Sequence, residues 1–163
     1  EWTGGVAYTE YHTIAIGISP GNLAWGKGAM VHELAHLAVQ QATFSGYGVD
    51  LPTWLDEGIA MYSEGELSSQ LQSVLSSAIN ENKLFTVKSL CSPFPADASS
   101  AYIAYAQSYS IVEYLIKERG GQARMLELLN AFKHGSGYAE ALNRVYGLDI
   151  IQLNTLWRGY VHA

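Results

Sequence analysis

Two histidines four residues apart, His32 and His36, bracket Glu33 in the stretch MVHELAHLAVQQ (30–41). On a helix, positions i and i+4 lie about 40° apart on one face. Both imidazoles can then point at one ion, and neutral imidazole is a standard ligand for Zn²⁺. Glu33 is turned by about 100° from His32. That is too far to complete the same chelate, but close enough to act on a water held there. Two ligands and one general base on a single helical turn suit metal-assisted hydrolysis. The competing reading is an accidental pattern on an ordinary helix. The setting argues against it, because His and Glu are costly on an otherwise apolar, buried helix unless paired or metal-bound.

A catalytic zinc takes three protein ligands and keeps one position open. A third histidine of the extended motif would fall at position 42, where the chain has Ala42, and its glycine at 39, where it has Val39. His12, His134 and His162 lie in other elements without a supporting pattern and read as surface or strand-end residues. The better candidate is Glu57 in WLDEGIAMY, twenty-one positions after His36 and beyond a loop long enough to reverse the chain. Two antiparallel helices could then face each other, with Gly58 permitting close approach. Asp56 reads as a first-turn acid favoured by the helix dipole, with a histidine-orienting role as the less favoured option. Glu64 reads as a solvent-facing residue at the helix end.

The elements that must position these side chains follow from the pattern. Val, Ile, Tyr and Thr over 4–19 suggest two short strands, about 5–9 and 12–18. SPGN (19–22) is a turn. Residues 26–42 form a helix apolar nearly all round, and therefore buried. TFSGYGVD (43–50) is a loop, and helix 53–64 follows with Thr53 as N-cap. Further helices fit 66–81, 99–119, 121–133, 136–146 and 149–161, separated by Gly120-Gly121, Gly135, Gly137 and Gly147. Asp149 is a good N-cap for the last. The expected fold is α+β over a single domain, 1–163. It has a small N-terminal β-sheet, a buried active-site helix beneath it, and a mainly helical C-terminal lobe.

Bulk properties narrow the function classes. The chain has 163 residues, 48% hydrophobic and 15% charged, which suits one globular core. The net charge is −6 without a basic block, so nucleic acid and anionic membrane are poor partners. No apolar run reaches the roughly 18 residues of a membrane span. Cys91 is the single cysteine, which excludes an internal disulfide and a cysteine-based zinc knuckle. No secretory signal pattern is visible. Opening at Glu1-Trp2 without Met reads as a chain trimmed from a precursor or a longer protein. The compartment stays open, and an exported protein or the extracytoplasmic part of a larger bacterial-type protein is compatible.

HELAH followed by P-x-WLDEG-IA-x-Y resembles the peptidase MA-like domains, the gluzincins, which are zinc metallopeptidases related in plan to thermolysin and to the neutral zinc aminopeptidases. The resemblance runs over about 4 to 160, and HELAH and WLDEG are its specific parts. It implies a zincin-like fold and one zinc per chain held by His32, His36 and Glu57. It implies Glu33 as the base acting on water, and an edge strand at Gly5-Val6-Ala7-Tyr8 that holds substrate backbone, with Val6 and Ala7 as substrate contacts. The substrate it implies is a peptide or protein.

Peptide hydrolysis also needs a donor for the developing oxyanion. Members of this plan often use a Tyr or His after the glutamate helix. SSAYIAYAQSYSIVEYL offers Tyr102, Tyr105, Tyr109 and Tyr114. Tyr105, in YAQS, matches the resemblance best, with Tyr109 second, while a core-facing aromatic stripe is the plainer reading. A different class of function also fits: a zinc-bearing binding or sensory module without turnover, in a larger protein. The oligomeric state is not legible.

Overall fold

A computed structural model describes residues 5–11, 13–18, 21–46 and 49–163. His12 and part of the turn expected at 19–22 lie outside the described residues. Strands β1 (Gly5–Tyr8) and β2 (Thr13–Ile16) pair antiparallel with Gly5 opposite Ile16 and Tyr8 opposite Thr13. A short 3-10 turn, Thr9–Tyr11, leads out of β1. This is the expected hairpin, slightly shorter than its sequence pattern. Among the described residues β1 pairs with β2 alone, so its other edge carries no strand.

Among the described residues seven α-helices follow: α1 (Leu23–Thr43), α2 (Thr53–Ser63), α3 (Ser69–Asn80), α4 (Ala98–Glu118), α5 (Gly121–Lys133), α6 (Tyr138–Tyr146) and α7 (Ile150–Val161). The fold is α+β, mostly helical, with one small sheet. Helix ends follow the sequence chemistry where polar side chains allow it. Asp149 caps α7 in a capping box with Gln152. Gly147 ends α6 in the left-handed region at φ 68°. Thr53 is not the expected N-cap: Pro52 takes that place, and the Thr53 hydroxyl donates to the carbonyl of Cys91. Proline suits a position whose N–H would have no helical partner.

The core lies in the helical part. Trp54 and Leu55 of α2, Ile111 and Leu115 of α4, Phe132 of α5 and Trp157 of α7 are fully buried together. α2 is wedged between α4 and α1. Gly58 makes this possible on the α4 side, since a Cβ there would stand 2.5 Å from the Ser108 carbonyl oxygen. The close approach expected at Gly58 is therefore to α4, not to the histidine helix. This fixes α2 rigidly and turns its Asp56, Glu57, Met61 and Glu64 toward α1.

α1 departs from expectation. It is not buried on all sides: Met30 is 44% exposed, Val31 40% and Leu34 49%. The reason is size. A helix of 21 residues is roughly 31 Å long at 1.5 Å per residue. Strands of four residues extend only about 13 Å, too little to cover it. Glu33 on one side of α1, and Ala35, Val39 and Thr43 on another, are buried, with the sheet, α2 and α5 packed against the helix.

Candidate metal centre and its cleft

α1 and α2 bring three side-chain atoms to one point. Nε2 of His32 and Nε2 of His36 are 3.1 Å apart. Oε2 of Glu57 lies 3.4 Å from the first and 3.7 Å from the second. Among the described residues, these three side chains form a group that could hold a metal ion. The far side of each ring is also held. His32 Nδ1 lies 2.7 Å from Oε1 of Glu64, and His36 Nδ1 lies 3.1 Å from Oδ2 of Asp56. A carboxylate accepts, so Nδ1–H is the donor in both pairs. Each imidazole is thereby oriented with its Nε2 turned inward.

The result is three acceptor atoms facing one another. Glu57 Oε2 is buried and, while both rings are neutral, accepts no hydrogen bond among the described residues. Such a cluster is unfavourable unless a cation occupies its centre. For tetrahedral coordination at zinc-like bond lengths the ligand atoms stand about 3.4 Å apart, and the three observed separations straddle that value. Two imidazole nitrogens with one carboxylate oxygen also form a donor set suited to a borderline divalent ion. The residues fit a metal ion.

Without an ion, a proton fills the same role. Burial works against a charged His32, but the neighbouring carboxylates of Glu57 and Glu64 outweigh it and push the imidazole up to about 10. Burial likewise opposes a charged His36. The bond to Asp56, with the charges of Asp56 and Glu57, still raises it against the repulsion of His32.

Glu33 stands beside this triangle without belonging to it. It is buried at the foot of β1, and a Cβ added to Gly5 would meet its Oε1 at 2.7 Å. Glycine leaves the space the carboxylate occupies. β1, Glu33 and the three converging side chains all border one cavity of about 1020 Å³. The wall of the cavity includes Gly5, Val6 and Ala7 of β1, and Tyr102 and Tyr105 of α4. Burial, with the charges of Glu57 and Glu33, pushes the Tyr105 phenol up to about 12. Its ring packs edge-on against Phe94 at 5.0 Å between centroids. Tyr109 does not reach the cavity. It packs with Tyr62, Leu67 and Ala106, and its hydroxyl lies 3.5 Å from Glu113.

Two acids play parts beyond the reading the sequence favoured for them. Asp56 holds His36 rather than merely complementing the dipole of α2. Glu64 is exposed at the end of α2, as expected, and it also holds His32, with Gly28, one turn before His32, leaving room for its second oxygen. A signal existed for Glu64. It lies seven residues after Glu57, two helical turns on, and therefore on the same stripe of α2. His134 donates from Nδ1 to the Asn130 carbonyl of its own helix end, and His162 follows α7; neither borders the cavity.

No curated protein and no solved structure matches the chain. The profile of the peptidase MA superfamily matches residues 1–163. The chain belongs to the peptidase MA superfamily.

Proposed function

We propose that this protein is a zinc metallopeptidase of gluzincin type, hydrolysing peptide bonds, with zinc held by His32, His36 and Glu57. One observation carries the reading: three acceptor atoms converge at 3.1 to 3.7 Å with a buried carboxylate oxygen left unsatisfied. Membership of the peptidase MA superfamily supports it. Zinc, when bound, supplies Lewis acidity toward water and a substrate carbonyl. The other parts belong to this chain.

Glu33 takes a proton from the attacking water on its carboxylate and gives it to the leaving amine. Its burial against Gly5 holds the carboxylate in one place. The open edge of β1 receives an extended peptide by strand addition, with Val6 and Ala7 along it. Tyr105 keeps its phenolic proton throughout the neutral range and donates it, as a hydrogen bond, to the oxyanion that develops on the carbonyl. Asp56 and Glu64 fix the histidine rings. The zincin-like plan, two ligands on α1 and a third on α2 beneath an edge strand, is part of the same proposal.

The test is elemental analysis together with a peptide-cleavage assay. The account expects about one zinc per chain and cleavage that a chelator abolishes. Loss of zinc in Glu57→Ala is expected as well. Zinc bound without any cleavage would favour a binding module over an enzyme.

A further inference from the structure

Tyr105 can serve the oxyanion only while its hydroxyl stays in one place. Its ring borders the cleft from α4, yet among the described residues it stands outside both buried clusters of the core. A side chain at a cavity wall keeps rotamer freedom unless a neighbour removes it.

Phe94 is such a neighbour. The two rings meet edge to face, with centroids 5.0 Å apart and planes at 87°. Aromatic pairs favour this geometry, and it fixes orientation as well as distance. Phe94 is not among the residues that border the cleft. It is half-buried and packed against the main core cluster. It therefore reaches Tyr105 from the core and not from the cleft, and carries the rigidity of the packed helices to the ring.

The backbone that presents Phe94 is stiff for a reason written in the sequence. Phe94 lies between Pro93 and Pro95 in SPFP (92–95). Each proline fixes its own φ and confines the residue before it to extended backbone. Ser92 is extended as this requires, at φ −97° and ψ 167°. Both ends of the segment are anchored. The Cys91 carbonyl accepts from the hydroxyl of Thr53, the first residue of α2, at 3.4 Å. Asp97 caps α4 by accepting from the Ser100 N–H at 2.9 Å. Residues 91–97 thus tie the helix that carries Glu57 to the helix that carries Tyr105, with Phe94 midway.

Resting on the peptidase reading above, we propose that Phe94 is a positioning residue for Tyr105, and that the Pro93-Phe94-Pro95 segment holds the Tyr105 ring in the one orientation that catalysis uses. The test compares zinc-loaded wild type, Phe94→Ala, Tyr105→Phe and the double variant in a peptide-cleavage assay, with zinc content and Tm as checks of folding. Phe94→Ala should lower kcat about tenfold and leave KM within about twofold, since a small misplacement of a reacting group costs much of its rate. Phe94→Tyr keeps the ring and should stay within about threefold of wild type. In the Tyr105→Phe background, Phe94→Ala should lower kcat by less than about twofold, because the hydroxyl it positions is gone.

A merely structural role would lower kcat by the same factor in both backgrounds, and that result would overturn the proposal. So would an unchanged kcat in Phe94→Ala. If wild type cleaves no peptide, the peptidase reading fails by itself. NMR on the protein with labelled tyrosines then decides, the Tyr105 signals being identified by their loss in Tyr105→Phe. Scalar couplings should give one χ1 rotamer for Tyr105 in wild type and averaged rotamers in Phe94→Ala. The same single rotamer in both would overturn the positioning role.

Discussion

The carboxylate of Glu33 fills the space that a side chain on Gly5 would take: a Cβ there would lie 2.7 Å from Oε1 and 3.0 Å from Cγ. The strand edge and the proposed base are thus adjusted to each other. Gly5→Ala should push the end of a flexible side chain rather than the backbone. The expected cost in stability is under about 1 kcal/mol. Activity should fall between about 10- and 100-fold, because a general base contributes through its position. Thermal unfolding and kcat, measured on the same preparation with zinc content checked, separate the two effects.

Gly58 gives the opposite outcome. A Cβ there meets the Ser108 carbonyl oxygen at 2.5 Å and Val112 Cγ2 at 2.7 Å, both on α4. Backbone cannot move aside as a carboxylate can. Gly58→Ala should destabilise the fold by about 1–3 kcal/mol. Denaturant unfolding checks it, and an unchanged midpoint would contradict the packing described.

Glu64 and Asp56 touch the outer Nδ1 atoms of the histidines, away from the point where the proposed ion would sit. Partners of this kind orient metal ligands and raise their basicity. Glu64→Ala and Asp56→Ala should each weaken zinc binding by about 10- to 100-fold. Competition with a chelator of known affinity measures this. Full retention of affinity in both would show that the rings are held by other means.

Metal binding should depend on pH in a defined direction. In the metal-free protein His32 is pushed up to about 10, whereas a histidine in an unfolded chain titrates near 6.5. The folded state holds this proton more tightly. The stability it confers is complete below about pH 6.5 and is lost as pH rises through about 10. Metal-free protein should therefore lose stability across that window, and His32→Gln should lose less. Zinc must displace the proton, so its apparent affinity should rise over the same range, by up to about tenfold per pH unit for each proton released. Chelator competition at several pH values, with unfolding curves on metal-free samples, checks both slopes.

Much of this arrangement was legible in the sequence, for a local reason. His32, Glu33 and His36 sit on one helical turn, where spacing alone fixes direction. Helix α2 and the hairpin also follow local pattern, and Asp149 caps α7 as its side chain dictates. What escaped depends on which helix meets which. Gly58 could have faced either neighbour; only the packing of Trp54 and Leu55 into the core assigns it to α4. That choice turns Asp56 and Glu64 toward the histidines. Tyr105 and Tyr109 share a helix face in sequence, but Tyr62 and Leu67 close over Tyr109. The apolar surface of α1 implied burial, and only the shortness of the strands leaves Met30, Val31 and Leu34 exposed.

Tyr105 can be tested apart from the metal. Tyr105→Phe keeps the ring against Phe94 and removes the hydroxyl. Zinc content should not change, and kcat should fall by about 10²- to 10³-fold with little change in KM, as for loss of one oxyanion donor. A fall confined to KM would indicate substrate contact instead.

The most direct measurement is peptide hydrolysis by Glu33→Gln compared with wild type at equal zinc content. Glutamine keeps the shape beside Gly5 and cannot accept the proton. The account predicts about one zinc per chain in both proteins and activity reduced by at least about 10²-fold in the variant. Cleavage at the wild-type rate by zinc-loaded Glu33→Gln would contradict it.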